Sequence, residues 1–226
     1  MMANSNNERN QSQILRIDGR NCFIEVKSDS FEFDKMHLEF ATYDMSKPAG
    51  QRYTNHIHIY VSINDWFALC CEAASGALLY QARQHKGAAT PGLLYECLGG
   101  TSAKKLASYG NARADKKSLS RVMKLLSAEK ADYLLIADSG PGEENATGLI
   151  VPKWGKNPEN HVAISLNART LTGMLCLAKA HYEAWLSSQY MKNIGGNSNR
   201  NDYGKNDVKK NGVENGKSFA DDMEMF

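Results

Sequence analysis

From Ile14 to Tyr190 apolar side chains recur in two rhythms. Some stretches alternate apolar and polar residues, the period of a half-buried strand; others space apolar residues three and four apart, the period of a helix. The clearest alternation occurs twice, as HIYVSIN at residues 58–64 and HVAISLN at residues 161–167, 103 residues apart. In the first, Ile59, Val61 and Ile63 point one way and His58, Tyr60 and Ser62 the other; in the second, Val162, Ile164 and Leu166 oppose His161, Ala163 and Ser165. Each ends in an asparagine, Asn64 or Asn167, a preferred helix N-cap. A helical stripe follows both: Trp66, Leu69, Cys70, Ala73, Ala77 and Tyr80 after the first, and Leu171, Met174, Leu175, Ala178, Tyr182 and Trp185 after the second.

Strands are expected at residues 22–27, 31–43 and 53–62, joined as an antiparallel meander through turns near Ser28 and Gly50. In the second half they are expected at 93–98, 106–109, 133–138 and 146–151, with an extra helix at 116–130 and a turn or exposed loop at SGPGEEN, 139–145. The pattern therefore predicts an α+β protein of two antiparallel β-β-β-β-α repeats, at about 14–85 and 92–190, packed as one domain. This organisation resembles the Whirly and positive-cofactor-four families, which bind single-stranded DNA on antiparallel sheets whose last strand runs into a helix. The alternative is an OB-fold β-barrel, which explains the strands but not the repeat.

Charge is nearly balanced, with 27 Lys+Arg against 25 Asp+Glu, but unevenly spread. Residues 86–130 hold nine cations and three acids. Within them Lys104, Lys105, Tyr109, Arg113, Lys116, Lys117 and Arg121 are candidates for phosphate and base contact. Tyr43, Lys47, Arg52 and Tyr53 flank one loop as a second basic and aromatic group, and Lys153, Trp154 and Lys156 form a third; Lys27 and Lys35 read as plain surface charges. Five cysteines without a C-x-x-C pair suit reduced thiols and a cytoplasmic setting. The polar start, expected to be disordered over residues 1–13, lacks the apolar core of a signal peptide, and no run is long enough for a membrane span.

Residues 191–217 hold 12 Asn or Gly among 27 and read as a flexible linker. The chain then ends SFADDMEMF, residues 218–226. A tether tipped with Asp221, Asp222, Met223, Glu224, Met225 and Phe226 resembles the C-terminal tip of bacterial and phage single-stranded DNA-binding proteins. That resemblance implies recruitment of replication or repair proteins through the tip, and self-association as a dimer or tetramer. The expected function is sequence-tolerant binding of single-stranded DNA, with no cofactor and no catalysis; a transcription regulator or a strand-annealing protein is the nearest alternative. His56 and His58 share a strand face and, with His161, are the candidates for a metal-dependent enzyme instead. ADSGPG, residues 137–142, lacks the lysine and hydroxyl ending of a phosphate loop.

Overall fold

The structure is a computed structural model that describes residues 11–48 and 50–196. Expectations placed on residues 1–10 and 197–226, the acidic tip included, lie outside the described residues.

Among the described residues nine strands form two antiparallel sheets. The first sheet is a meander of β1 (Gln13–Asp18), β2 (Cys22–Lys27), β3 (Lys35–Tyr43) and β4 (Tyr53–Ser62), in that order. The chain passes directly from β4 into α1 (Ile63–Ser75) and, after Gly76, into α2 (Ala77–Gln84). Gly76 takes the left-handed conformation, with φ 80°, that ends one helix and redirects the next. The second sheet runs β5 (Leu93–Thr101), β6 (Ser118–Ser127), β7 (Tyr133–Glu144), with a short helix α3 (Ala103–Ser108) between β5 and β6. The free edge of β7 is shared: Gly142–Glu144 pair with β8 (Ile150–Pro152), and residues 133–139 pair with β9 (Asn160–Leu166). From β9 the chain enters α4 (Ala168–Gly196).

One core joins these layers. The inward row of the first sheet (Ile24, Val26, Leu38, Phe40, Ile57, Ile59) meets Met123, Leu125, Leu135, Ala137, Val162 and Ile164 of the second. Trp66 from α1 and Leu171, Met174, Leu175 and Ala178 from α4 complete it. The alternation at residues 58–63 and 161–166 thus points Ile59, Val61, Val162 and Ile164 into the core. Among the described residues no helix is long and apolar enough to cross a membrane.

Several expectations need correction. Strand β1 was not expected: its Ile14, Leu15 and Ile17 break simple alternation because a bulge shifts the register between Gln13 and Leu15. Residues 31–33 form a 3-10 turn, not strand, and Asp34 follows at φ 53°. The expected strand at 106–109 lies within and just after α3, whose first turn is capped by Ser102 Oγ accepting from Lys105 N at 3.3 Å. The expected helix at 116–130 is strand β6, preceded by Lys116 at φ 56°, where no right-handed helix can start. Val122, Met123 and Leu125 are all buried because both faces of this central strand are covered. Met123 and Leu125 enter the main core, while α3 and β8 pack over part of the other side.

The glycine-rich segment read as a loop at 139–145 mostly continues β7 through Glu144. A Cβ on Gly142 would come within 2.7 Å of Ile150 and Ser120, so the strand needs glycine for close packing, not for turning. The first helix is capped by Ser62, whose Oγ accepts from Asp65 N at 3.1 Å, and Asn64 sits exposed inside the first turn. Asn167 does cap α4: its Oδ1 accepts from Thr170 N at 2.8 Å. Helix α4 extends six residues into the stretch read as linker from residue 191.

Candidate nucleic-acid interface

The face of the first sheet turned away from the core carries charge, and nearly all of it is internally paired. Strand register sets Arg16, Glu25, Glu39 and His58 in one row across the sheet and Lys27, His37 and Tyr60 in the next. Arg16 binds Glu25 at 2.9 Å and Asp18 at 3.0 Å, and its guanidinium lies 3.8 Å over the Phe23 ring. Lys27 binds Glu39 and approaches Glu25 at 3.8 Å, and His56 binds the other Glu39 oxygen. Lys27 is therefore a buried ion-pair member, not the surface charge expected. The Lys27 and His56 bonds hold the Glu39 carboxyl below its usual range although burial opposes this.

Two histidines form a chain on the same face. His37 Nδ1 lies 2.8 Å from Asp29 Oδ1, and His37 Nε2 lies 2.9 Å from His58 Nδ1. Burial is the largest cause lowering both pKa values, to about 4 for His58, so both rings are neutral at neutral pH. The carboxylate must accept, so His37 donates from Nδ1, His58 donates to His37 Nε2, and His58 Nε2 is left as an acceptor.

This fixes a pH dependence. The His58 pKa lies below its ordinary 6.5, so as pH falls from about 6.5 to about 4 the unfolded chain takes the proton first and stability falls. The groups around the ring are His37, His56 and Arg121, which oppose its charging, and Glu39, which favours it. His58 is partly exposed, so the slope should stay below the one-proton limit of about 1.4 kcal/mol per pH unit. Urea midpoints between pH 7 and 5 should drop more for the native chain than for His58→Gln; parallel curves would show that His58 is not the group responsible.

Where the edge strands β4 and β5 approach, a cleft opens between the sheets. Cys97 Sγ donates to Tyr60 O at 3.7 Å. The cleft measures about 410 Å³ and is walled by Lys35, His58 and Tyr60 on one side and by Leu98, Gly99 and Gly100 on the other. Lys105 of α3, Arg121 of β6 and the β7–β8 hairpin at Thr147, Leu149 and Ile150 close it. Its cations differ from those of the sheet face. Lys105 Nζ is buried and, among the described residues, has no hydrogen-bond partner. Arg121 donates to the hydroxyl Thr101 Oγ1 at 3.0 Å and forms no ion pair among the described residues; burial lowers its pKa. Glu144 also lines the cleft. No family model, curated protein or solved structure matches this chain.

The structure gathers some of the expected contact residues and separates others. Lys105 and Arg121 meet in the cleft. Lys116, Lys117 and Lys153 line an adjoining groove that shares Glu144 with it, and Lys153 pairs with Glu143 at 2.9 Å. Lys104, Tyr109 and Lys156 are exposed. Arg113 is held by Glu159 at 2.6 Å and Asp115 at 3.0 Å, so its charge is already neutralised. Trp154 lies against the backbone at Gly140, where a Cβ would be 3.0 Å from the indole.

Tyr43, Lys47, Arg52 and Tyr53 sit at the other end of β3 and β4, roughly 20 Å from Tyr60 at about 3.3 Å per strand residue. There Tyr43 donates to Asp18 at 2.6 Å, and burial with that bond pushes its pKa up to about 12. Arg52 donates to Lys47 O at 3.1 Å, and Lys47 stands 3.9 Å from Asp44.

Lys35 and Tyr60 are cleft residues that the sequence does not place at a binding site, and it marks His58 only as a candidate metal ligand. Only the side-chain alternation of β4 put Tyr60 and His58 on one face. The metal reading assigned His56, His58 and His161 together, but the structure gives each a different partner: Glu39, His37 and Asp138. No group of three His, Cys, Asp or Glu side chains stands at metal-ligating spacing among the described residues.

Proposed function

We propose that this chain binds single-stranded DNA with little sequence preference. The observation that carries the reading is the pair of unneutralised cations, Lys105 and Arg121, in a cleft beside Tyr60 and His58. Single strands are held by cations on phosphates and by rings that stack on bases, whereas a duplex base must first be unpaired and unstacked to enter a pocket. The groove at Lys116, Lys117 and Lys153 continues the positive surface away from it.

The connectivity supports a duplicated, Whirly-like architecture over an OB barrel. Four strands lead into α1, and β5, β6, β7 and β9 lead into α4 in the same sense, with α3 and β8 as additions to the second unit. The proposal includes self-association and partner recruitment through the tip at residues 218–226.

The test is a fluorescence anisotropy titration of labelled oligothymidine and of a duplex of equal length across a salt series. Oligothymidine should bind more tightly, with log affinity falling by about 0.7 per tenfold salt for each phosphate neutralised. Equal affinity for the duplex, or no binding at low salt, would overturn the reading.

A further inference from the structure

We propose that the inter-sheet cleft is a mononucleotide pocket, which binds a free nucleoside monophosphate with its phosphate on Lys105 and Arg121 and its base among the apolar residues of the rim. The proposal deepens the DNA-binding reading, because the same pocket would seat one unit of a strand.

Three observations carry it. The first is the charge. A buried ammonium without a partner is unfavourable unless an anion completes it, and Lys105 Nζ is such a group. Arg121 faces the same space with, among the described residues, only a hydroxyl partner, and a guanidinium has five N–H donors of which the Thr101 bond uses one. Lys35, which forms no ion pair among the described residues, lines the same cleft. Glu144 is the one carboxylate in its lining, and no cation of the described residues is bound to it.

The second observation is shape and chemistry. A volume of about 410 Å³ falls in the range of roughly 300–1,000 Å³ typical of small-molecule pockets. Leu98 and Leu149, 37% and 38% exposed, both line it and give a planar base two apolar surfaces to cover.

The third is preorganisation. The hairpin wall is fixed from within: Asn145 Oδ1 accepts from Thr147 N, Thr147 Oγ1 and Leu149 N at 3.0, 2.7 and 2.9 Å. Gly100 lets the hairpin close in, since a Cβ there would lie 2.7 Å from Ile150. A fixed wall needs no ordering when the ligand enters.

The experiment is calorimetry on the full chain with thymidine monophosphate, thymidine and inorganic phosphate, beside displacement of labelled oligothymidine by the monophosphate. The monophosphate should bind once per chain. Thymidine and phosphate should each bind at least tenfold more weakly, since each lacks half of the contacts. Lys105→Met should weaken the monophosphate at least tenfold. Gly99→Val should block the pocket without altering any charge, because open space surrounds that position and valine suits a strand. Phosphate binding as tightly as the monophosphate would overturn the inference in favour of a simple anion site. Oligothymidine binding without any monophosphate binding would overturn the inference and leave the DNA reading standing. Monophosphate binding without oligothymidine binding would support the pocket and overturn the DNA reading.

Discussion

Arg121→Met should weaken oligothymidine binding by tenfold or more while leaving the fold intact or slightly more stable. A hydrogen bond from a charged donor contributes about 1.5–3 kcal/mol, and each 1.4 kcal/mol is a factor of ten. In the unbound protein that guanidinium is a partly buried cation that, among the described residues, has no carboxylate partner and donates to Thr101 Oγ1. An apolar side chain of similar length removes its desolvation penalty, and such exchanges are often neutral or stabilising. Binding and stability therefore move in opposite directions, which a merely structural arginine would not produce. Arg113→Ala is the contrasting variant: it removes another cation of the same basic segment, but one already occupied by Glu159 and Asp115. Its affinity for DNA should stay within about threefold of the native chain, in line with the small net worth of exposed ion pairs. Anisotropy titrations and urea unfolding of both variants check this. Equal losses of affinity would mean that total charge, not the cleft, governs binding.

Trp66→Ala should destabilise the chain by about 3–5 kcal/mol, a large part of the ~5–15 kcal/mol typical of a folded domain. Trp66 is only 1% exposed and sits where α1, α4 and both sheets meet, beside Leu38, Leu125, Leu135 and Leu175. Its Nε1 also donates to Leu175 O at 3.1 Å and so ties the helix after the first sheet to the helix after the second. Trp66→Phe keeps most of the packing and loses that bond, for a smaller loss of about 1 kcal/mol plus the unfilled volume. Denaturant unfolding should rank native, Phe and Ala in that order. A cost below about 1 kcal/mol for the alanine variant would show that the helices do not share one core with the sheets.

The two opposite outcomes expected at Arg121 and Trp66 reflect how unevenly the sequence discloses this protein. Segments buried on one side were legible. The alternation at residues 58–63 and 161–166 gave β4 and β9, the stripe from Leu171 gave α4, and the stripe from Trp66 gave α1, but its Ala77 and Tyr80 belong to α2 beyond the break at Gly76. The basic composition of residues 86–130 placed Lys105 and Arg121 among the candidates, but it placed Arg113 beside them on equal terms.

What the sequence determined by itself was the mixed α+β character, the strand-to-helix passages at both ends of the core, and the segment in which cations are concentrated. Each is a local property: a period of two or of 3.6 records burial on one face, and composition records charge. Tertiary structure alone decided the rest. Strand β6 shows no simple alternation because it is covered on both faces, and β7 keeps its glycines and Pro141 within a ladder because Ile150 and Trp154 pack against the glycines. Which cations are free was also settled across the fold, since Glu159 reaches Arg113 from 46 positions away while the described acids leave Lys105 and Arg121 without an ion pair. A charge becomes available to a ligand only through the absence of a neighbour, and neighbours distant in sequence are chosen by the packing of the two sheets.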